Sequence, residues 1–309
     1  MNQPNTALSV NVDVRNPGHF FGCCGLLEVA HRLWPGSEGW FDFDQDIFIV
    51  VPAAGDVTLQ LLIENLRETE VSGLTVDERQ ELSDLETEKR RLQGQRPSQN
   101  LSPEKERRRS DLGNKARKGS LRFASPLGLL LDWWIDSDTP TTWAGRQEIH
   151  RIVRSAQDAL RGIYDMAKLL DYGCVMRVPS EYCKKPAESK NAVEPFYFDA
   201  RRFSHALSTG FSLDVIEAET ITHPAAELLS LIGLQRCRPV VERTRIYGLK
   251  GYCDYWAWCR PLSTSTLGAV VGGGAPIPES RHYRFPLLAR DDQKRYGAFG
   301  WAKAIGGDL

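Results

Sequence analysis

The chain has almost no net charge, no cysteine pairing and no recognisable catalytic signature, and each absence removes a class of function. Lysine and arginine number 39 against 40 aspartates and glutamates, so the protein as a whole is no generic coat for a polyanion. No apolar run reaches the roughly 18 residues of a membrane span, and no membrane partner is expected. Met1-Asn2-Gln3-Pro4-Asn5-Thr6 lacks the basic start and apolar stretch of a secretory signal, which points to the cytoplasm. Seven cysteines are an odd number without paired spacing. Reduced, buried thiols are the expectation, with Cys23 and Cys24 inside an apolar helix. Gly272-Gly273-Gly274 is not followed by the Gly-Lys-Ser/Thr of a phosphate-binding loop. There is no dinucleotide fingerprint, no His-Glu-x-x-His and no Cys-x-x-Cys. No catalytic residue, metal site or cofactor is therefore assigned. His19, His205 and His223 are paired with no nucleophile. A metal-independent ribonuclease built from histidines and lysines stays open as an alternative.

What is present suits a folded body. Hydrophobic residues make up 41% of 309, enough for a core in one large or two ordinary domains. Leu8–Val14 alternates as a half-buried strand does. Pro17 opens an apolar helix through Ala30, and Gly22 and Gly25 within it suggest the close approach of another backbone. Trp40–Asp44 and Ile47–Val51 read as a hairpin. A helix is expected near Val57–Glu68, another over Arg146–Leu170, and a surface loop over Ser180–Pro195. Further strands are expected at Phe196–Asp199, Arg245–Gly248 and Tyr252–Cys259. His223-Pro224 leading into Ala225–Arg236 echoes Asn16-Pro17 leading into its own helix. Two strand–helix–strand units would make two ferredoxin-like halves; chance likeness between two buried helices is the other explanation.

The near-neutral total hides an asymmetry. Between Asp56 and Glu88 there are ten acidic residues and two basic ones; between Lys89 and Arg122, twelve basic and three acidic. A polar helix over Asp77–Gln93 is followed by Pro97, Ser98 and then a helix over Pro103–Lys118 with Leu112 and Ala116 as its apolar residues. Helices this polar lie on the surface or are ordered by a partner. The segment 68–119 thus reads as a charged helical hairpin inserted into a body of residues 1–67 and 120–309. Arg107, Arg108, Arg109, Lys115, Arg117 and Lys118 are candidate phosphate contacts. Alternatively they pair with the acidic half of the same hairpin. Arg201 and Arg202 follow an expected strand end and are candidates for nucleic-acid contact, or for a structural pair with Asp199 or Asp214. Tyr252, Asp254, Trp256 and Trp258 would share one strand face, either to stack bases or as a core strand.

The segment Asn16–Ala30, running on to Leu33-Trp34-Pro35-Gly36 and Gly39-Trp40-Phe41, resembles the small large-subunit-like protein of type I-U (I-G) CRISPR effector complexes. So do Asp199-Ala200-Arg201-Arg202 through Gly210-Phe211-Ser212, Pro224–Pro239 and Tyr255-Trp256-Ala257-Trp258. The charged insertion lies outside the resemblance. The resemblance implies an α+β, ferredoxin-like (RAMP-like) body. It also implies a non-catalytic subunit of an RNA-guided surveillance complex in antiviral defence. Its partners would be the CRISPR guide RNA, target DNA, other effector-complex subunits and a helicase-nuclease, with base pairing supplying sequence and protein supplying shape and charge. A guide-RNA-processing ribonuclease and a protein-only adaptor for the nuclease are the alternatives.

Overall fold

The computed structural model describes residues 7–55, 57–95, 98–118, 121–131, 149–174, 195–201, 221–289 and 297–306. The chain is a mixed α+β protein with several antiparallel sheets. Two helices form its centre, α1 (Pro17–Leu33) and a later one, Pro224–Arg236. Residues 17–30 of α1 are all buried, as are residues 224–235 of the second helix. Neither sequence offers a polar face, so neither helix has a side to give to water.

The two helices cross at their glycines. A Cβ built on Gly25 would lie 1.9 Å from the Leu229 carbonyl oxygen, and one on Gly233 would lie 2.1 Å from that of Phe21. Backbone therefore rests on backbone at Gly25, as expected, whereas a Cβ on Gly22 would meet the Leu170 side chain at 3.2 Å, with the nearest backbone atom at 3.8 Å. Any side chain at Gly25 or Gly233 would push the helices apart. This crossing also pairs the two segments that echo one another in the sequence.

Three antiparallel sheets surround this pair. The first contains β1 (Leu8–Asn11), β2 (Glu38–Asp42) and β3 (Ile47–Val51), with β3 in the middle and Leu262–Ser263 added beside β2. Strands β1 and β2 are joined through α1, and β3 lies between them. The second sheet runs in chain order through Val240–Arg243, Leu249–Ala257, Arg281–Ala289 and Gly297–Phe299, with Lys303–Ala304 also paired to Arg281–Ala289. Aromatic rings join both sheets to α1. Phe20 stacks on Tyr255 at 4.1 Å and on Phe41 at 5.5 Å. Trp258 meets Phe41 edge-on at 4.9 Å, and its indole N–H donates to the Gly39 carbonyl at 2.7 Å.

The third sheet consists of β4 (Val71–Ser72), β5 (Leu121–Phe123) and β6 (Leu130–Leu131). Helix α2 (Leu59–Glu68) precedes it. Helices α3 (Val76–Gln95) and α4 (Pro103–Lys118) leave the body between β4 and β5. They have a separate small core of Leu74, Leu85 and Leu112, with Leu82 packed against it.

Several expectations are corrected. Phe196–Asp199 is a buried turn. Tyr197 has φ +63°, and the N–H groups of Phe198 and Asp199 donate to the Glu227 carboxylate at 3.3 and 3.1 Å, not to a ladder. Arg245–Gly248 forms the turn between Val240–Arg243 and Leu249–Ala257. The helix expected over Arg146–Leu170 is described from Ile149 and ends at Ala159. Two short 3-10 turns follow, Leu160–Gly162 and Met166–Asp171, because Gly162 is a weak helix former and Ile163 is extended. Trp258 lies beyond the end of its strand and is fully buried, so it leaves the face shared by Tyr252, Asp254 and Trp256. Residues 180–194 lie outside the described residues, as do His205, Gly210 to Ser212 and Asp214.

Candidate functional site

Two groups of charged side chains stand out. They differ in burial and in how completely each charge is answered.

The first is the hairpin. A reciprocal cap starts α3: the Glu78 N–H donates to Thr75 Oγ1 at 3.2 Å, and the Thr75 N–H donates to Glu78 Oε2 at 3.0 Å. The two helices run antiparallel, and acids of α3 face bases of α4 along the seam. Lys115 donates to Glu78 at 2.6 Å. Arg108 forks onto Glu81 at 2.9 and 2.7 Å. Lys105 reaches Glu88 at 2.7 Å. At the far end the polarity reverses, with Lys89 donating to Glu106 at 2.9 Å and Arg109 adding a second cation at 2.7 Å. The Arg109 and Lys89 contacts draw the Glu106 carboxyl down to about 2. All these pairs are open to water, which screens them. They set the register of two helices that have only leucines to pack.

Half of the predicted phosphate contacts in the hairpin are therefore already engaged. Arg108, Arg109 and Lys115 pair internally, as the alternative of an internally neutralised hairpin requires. Arg107 is exposed and has no ion-pair partner among the described residues. Arg117 and Lys118 lie on the last turn of α4, and their side chains are outside the description. The hairpin's charge is nevertheless uneven along its length. From Lys89 to Arg109, which spans the distal end, there are eight basic residues and two acidic ones.

The second group is a buried clasp where the two central helices begin. Asn16 caps α1 by accepting the Gly18 N–H at 3.0 Å. Its amide nitrogen donates to Asp199 Oδ1 at 2.8 Å, and its oxygen also accepts the Ala200 N–H at 3.1 Å. Asp199 is fully buried and accepts from Arg201 at 2.7 Å, and His223 Nδ1 lies 2.9 Å from its Oδ2 without the angle of a hydrogen bond. Burial by itself pushes the Asp199 carboxyl up, but the close contacts of His223 and Arg201 outweigh it and hold the group far below the usual carboxylate range. Arg201 also reaches Asp171 at 2.6 Å and the Leu170 carbonyl at 2.8 Å. His19 completes the group. Its Nδ1 accepts the Asp13 N–H at 3.1 Å, and its buried Nε2 lies 3.7 Å from Asp171. Burial, helped by the Arg201 charge, lowers its pKa to about 4.

Arg201 is thus bound into the body through Asp199, the structural partner considered from the sequence. Arg202 lies outside the described residues. No known protein family, curated protein or solved structure matches this chain. The site must be read on its own chemistry. Asp199 lies against His223 as a carboxylate lies against an acid–base histidine, but the contacts of Asn16 with Asp199 and of Arg201 with Asp171 and Leu170 tie separate segments of the body together. The residues that sequence reasoning passed over here are Asn16, Asp171 and Glu227. The available signal was the pair of helix entries, Asn16-Pro17 and His223-Pro224, which open toward the same turn.

The remaining candidate, the outward face of strand Leu249–Ala257, is also engaged. Trp256 stacks on His282 at 4.1 Å, and the Gly273 turn lies against its ring. Asp254 accepts from Arg284 at 2.8 Å through each oxygen, and lies 3.1 Å from His282 Nε2. Among the described residues no group of three His, Cys, Asp or Glu side chains is placed to hold a metal, and no helix is long and apolar enough to cross a membrane. Cys23, Cys24, Cys237 and Cys253 are buried free thiols, as expected.

Proposed function

We propose that this protein is a non-catalytic, nucleic-acid-contacting subunit of a type I-U (I-G) CRISPR surveillance complex, with a ferredoxin-like body that carries the charged hairpin as an arm. Its partners are the guide RNA, target DNA, neighbouring subunits and the helicase-nuclease. One observation carries the reading. The segments that resemble the CRISPR protein are scattered from Asn16 to Trp258, yet their described parts meet in one place. Gly25 rests on Leu229, Asn16 holds Asp199, and Phe20 stacks on Tyr255. Such convergence supports a shared fold more than a chance run of matched residues would. The order of β1, β3 and β2 around α1 supports a ferredoxin-like half.

The test is co-expression of the tagged chain with a guide RNA and the other effector subunits. The tagged chain is expected to bring down both. Recovery of protein partners without RNA would favour the adaptor, and recovery of neither would end the reading. The pairing of His223 with Asp199 favours a second reading, a guide-RNA-processing ribonuclease. Precursor RNA incubated with the protein in chelator is expected to stay intact. Cleavage that disappears in His223→Ala would replace the subunit with the enzyme.

A further inference from the structure

The hairpin's cations fall into two classes by direction. Lys105, Arg108, Leu112 and Lys115 repeat at i, i+3, i+7 and i+10 and form the face of α4 that meets α3. Arg107 lies two residues from Lys105, about 200° around the helix at 3.6 residues per turn, and points away from the seam. It is exposed. On α3, Arg91 is exposed with no ion-pair partner among the described residues, and Arg90 is 72% exposed and only loosely paired with Glu86 at 3.5 Å. The contact of Lys89 with Glu106 fixes the relative height of the helices. It sets Arg91 opposite residue 104, so Arg91 and Arg107 stand within about 5 Å of the same level at a rise of 1.5 Å per residue. That level is about 22 Å along α3 from its first residue. The acids one helical turn from them are Glu86, Glu88, Glu104 and Asp111. Glu88 is taken by Lys105, and among the described residues neither Glu104 nor Asp111 forms an ion pair with Arg107.

We infer that Arg90, Arg91 and Arg107 form a grip at the end of the hairpin for the phosphates of duplex nucleic acid. The seam cations serve to hold the arm together. The inference rests on reading the chain as a nucleic-acid-contacting subunit. The chemistry follows from what each side chain leaves available. An arginine fork already filled by a carboxylate, as in Arg108 on Glu81, would have to leave that acid bare beside a phosphate. The three outward arginines face no such exchange, and their planar donors match phosphate oxygens in pairs. Contacts of this kind read the backbone and not the bases, so binding is independent of sequence.

The experiment measures binding of the full chain to a random-sequence DNA duplex and to an RNA duplex by fluorescence anisotropy over a range of salt. Three proteins are compared: wild type, Arg90→Gln/Arg91→Gln/Arg107→Gln, and Arg108→Gln/Lys115→Gln. The outward variant is expected to bind more weakly, with a log–log salt slope shallower by about 0.9 for each DNA phosphate that is no longer neutralised, and to melt as wild type does. The seam variant is expected to keep the wild-type slope and melt earlier. If wild type binds and the outward variant keeps its slope, the assignment of residues falls while the functional reading stands. If wild type binds neither duplex even at low salt, the functional reading falls with it.

Discussion

The molecule contains two helix pairs built on opposite principles. Where α1 crosses Pro224–Arg236, the helices touch through glycine backbones and bury every side chain along most of their length. Where α3 lies along α4, three buried leucines and a ladder of exposed ion pairs do the joining. The first contact is fixed by shape, since no other residue fits. The second is fixed by charge and register, and it leaves its outer surface free to vary. The first solution locks the body in one shape, and the second leaves the outer faces of the arm outside any packing.

The sharpest way to break the comparison is at the glycine crossing. Gly25→Ala should destabilise the fold by at least about 4 kcal/mol, because its new methyl meets a carbonyl oxygen and not a flexible side chain. Urea denaturation of the variant measures this. A loss below about 1 kcal/mol would mean the helices can slide, and the contrast with the hairpin would vanish. Next in size is the clasp. Asp199→Asn should lower stability by about 3 kcal/mol, since Arg201 and His223 lose the buried charge between them. The same denaturation midpoint reports it.

Much of this contrast was legible in the sequence. The polar character of 68–119, with Pro103 at the start of its second helix, marked the arm. Gly25 in an apolar helix marked a close approach. The partners were not legible. Glu81 finds Arg108, and Arg201 finds Asp171, only once the antiparallel register and the turn at Phe196–Asp199 exist. That turn misled for a physical reason: its alternating aromatics imitate a strand, while the left-handed Tyr197 and the Glu227 carboxylate take its backbone out of any ladder.

A third, smaller effect concerns acid. Folded His19 stays neutral down to about pH 4, whereas in the unfolded chain it takes up a proton near 6.5. Between those values the unfolded state binds the extra proton, so stability should fall on acidification by roughly 2–3 kcal/mol. Asp199 adds its own effect only lower, once pH falls below the unfolded carboxylate value near 4. Melts of wild type and His19→Asn across pH 7 to 4.5 check this. Equal slopes in the two proteins would remove His19 from the account. The smallest effect should come from the hairpin seam. Breaking Arg108 and Glu81 singly and together should shift melting slightly and less so at high salt. A coupling that persists in molar salt would show that the arm, too, is held by packing.

The strands that bracket the arm carry one more consequence. Val71 pairs with Phe123 and Ser72 with Arg122, so the chain leaves the body and returns to it at neighbouring points of a single ladder. Antiparallel partners stand about 5 Å apart, a gap that a two-residue turn closes. The arm is therefore a cassette set into a hairpin bend. In the history of such a chain it can be acquired, exchanged or dropped in one event without re-threading the body beneath it.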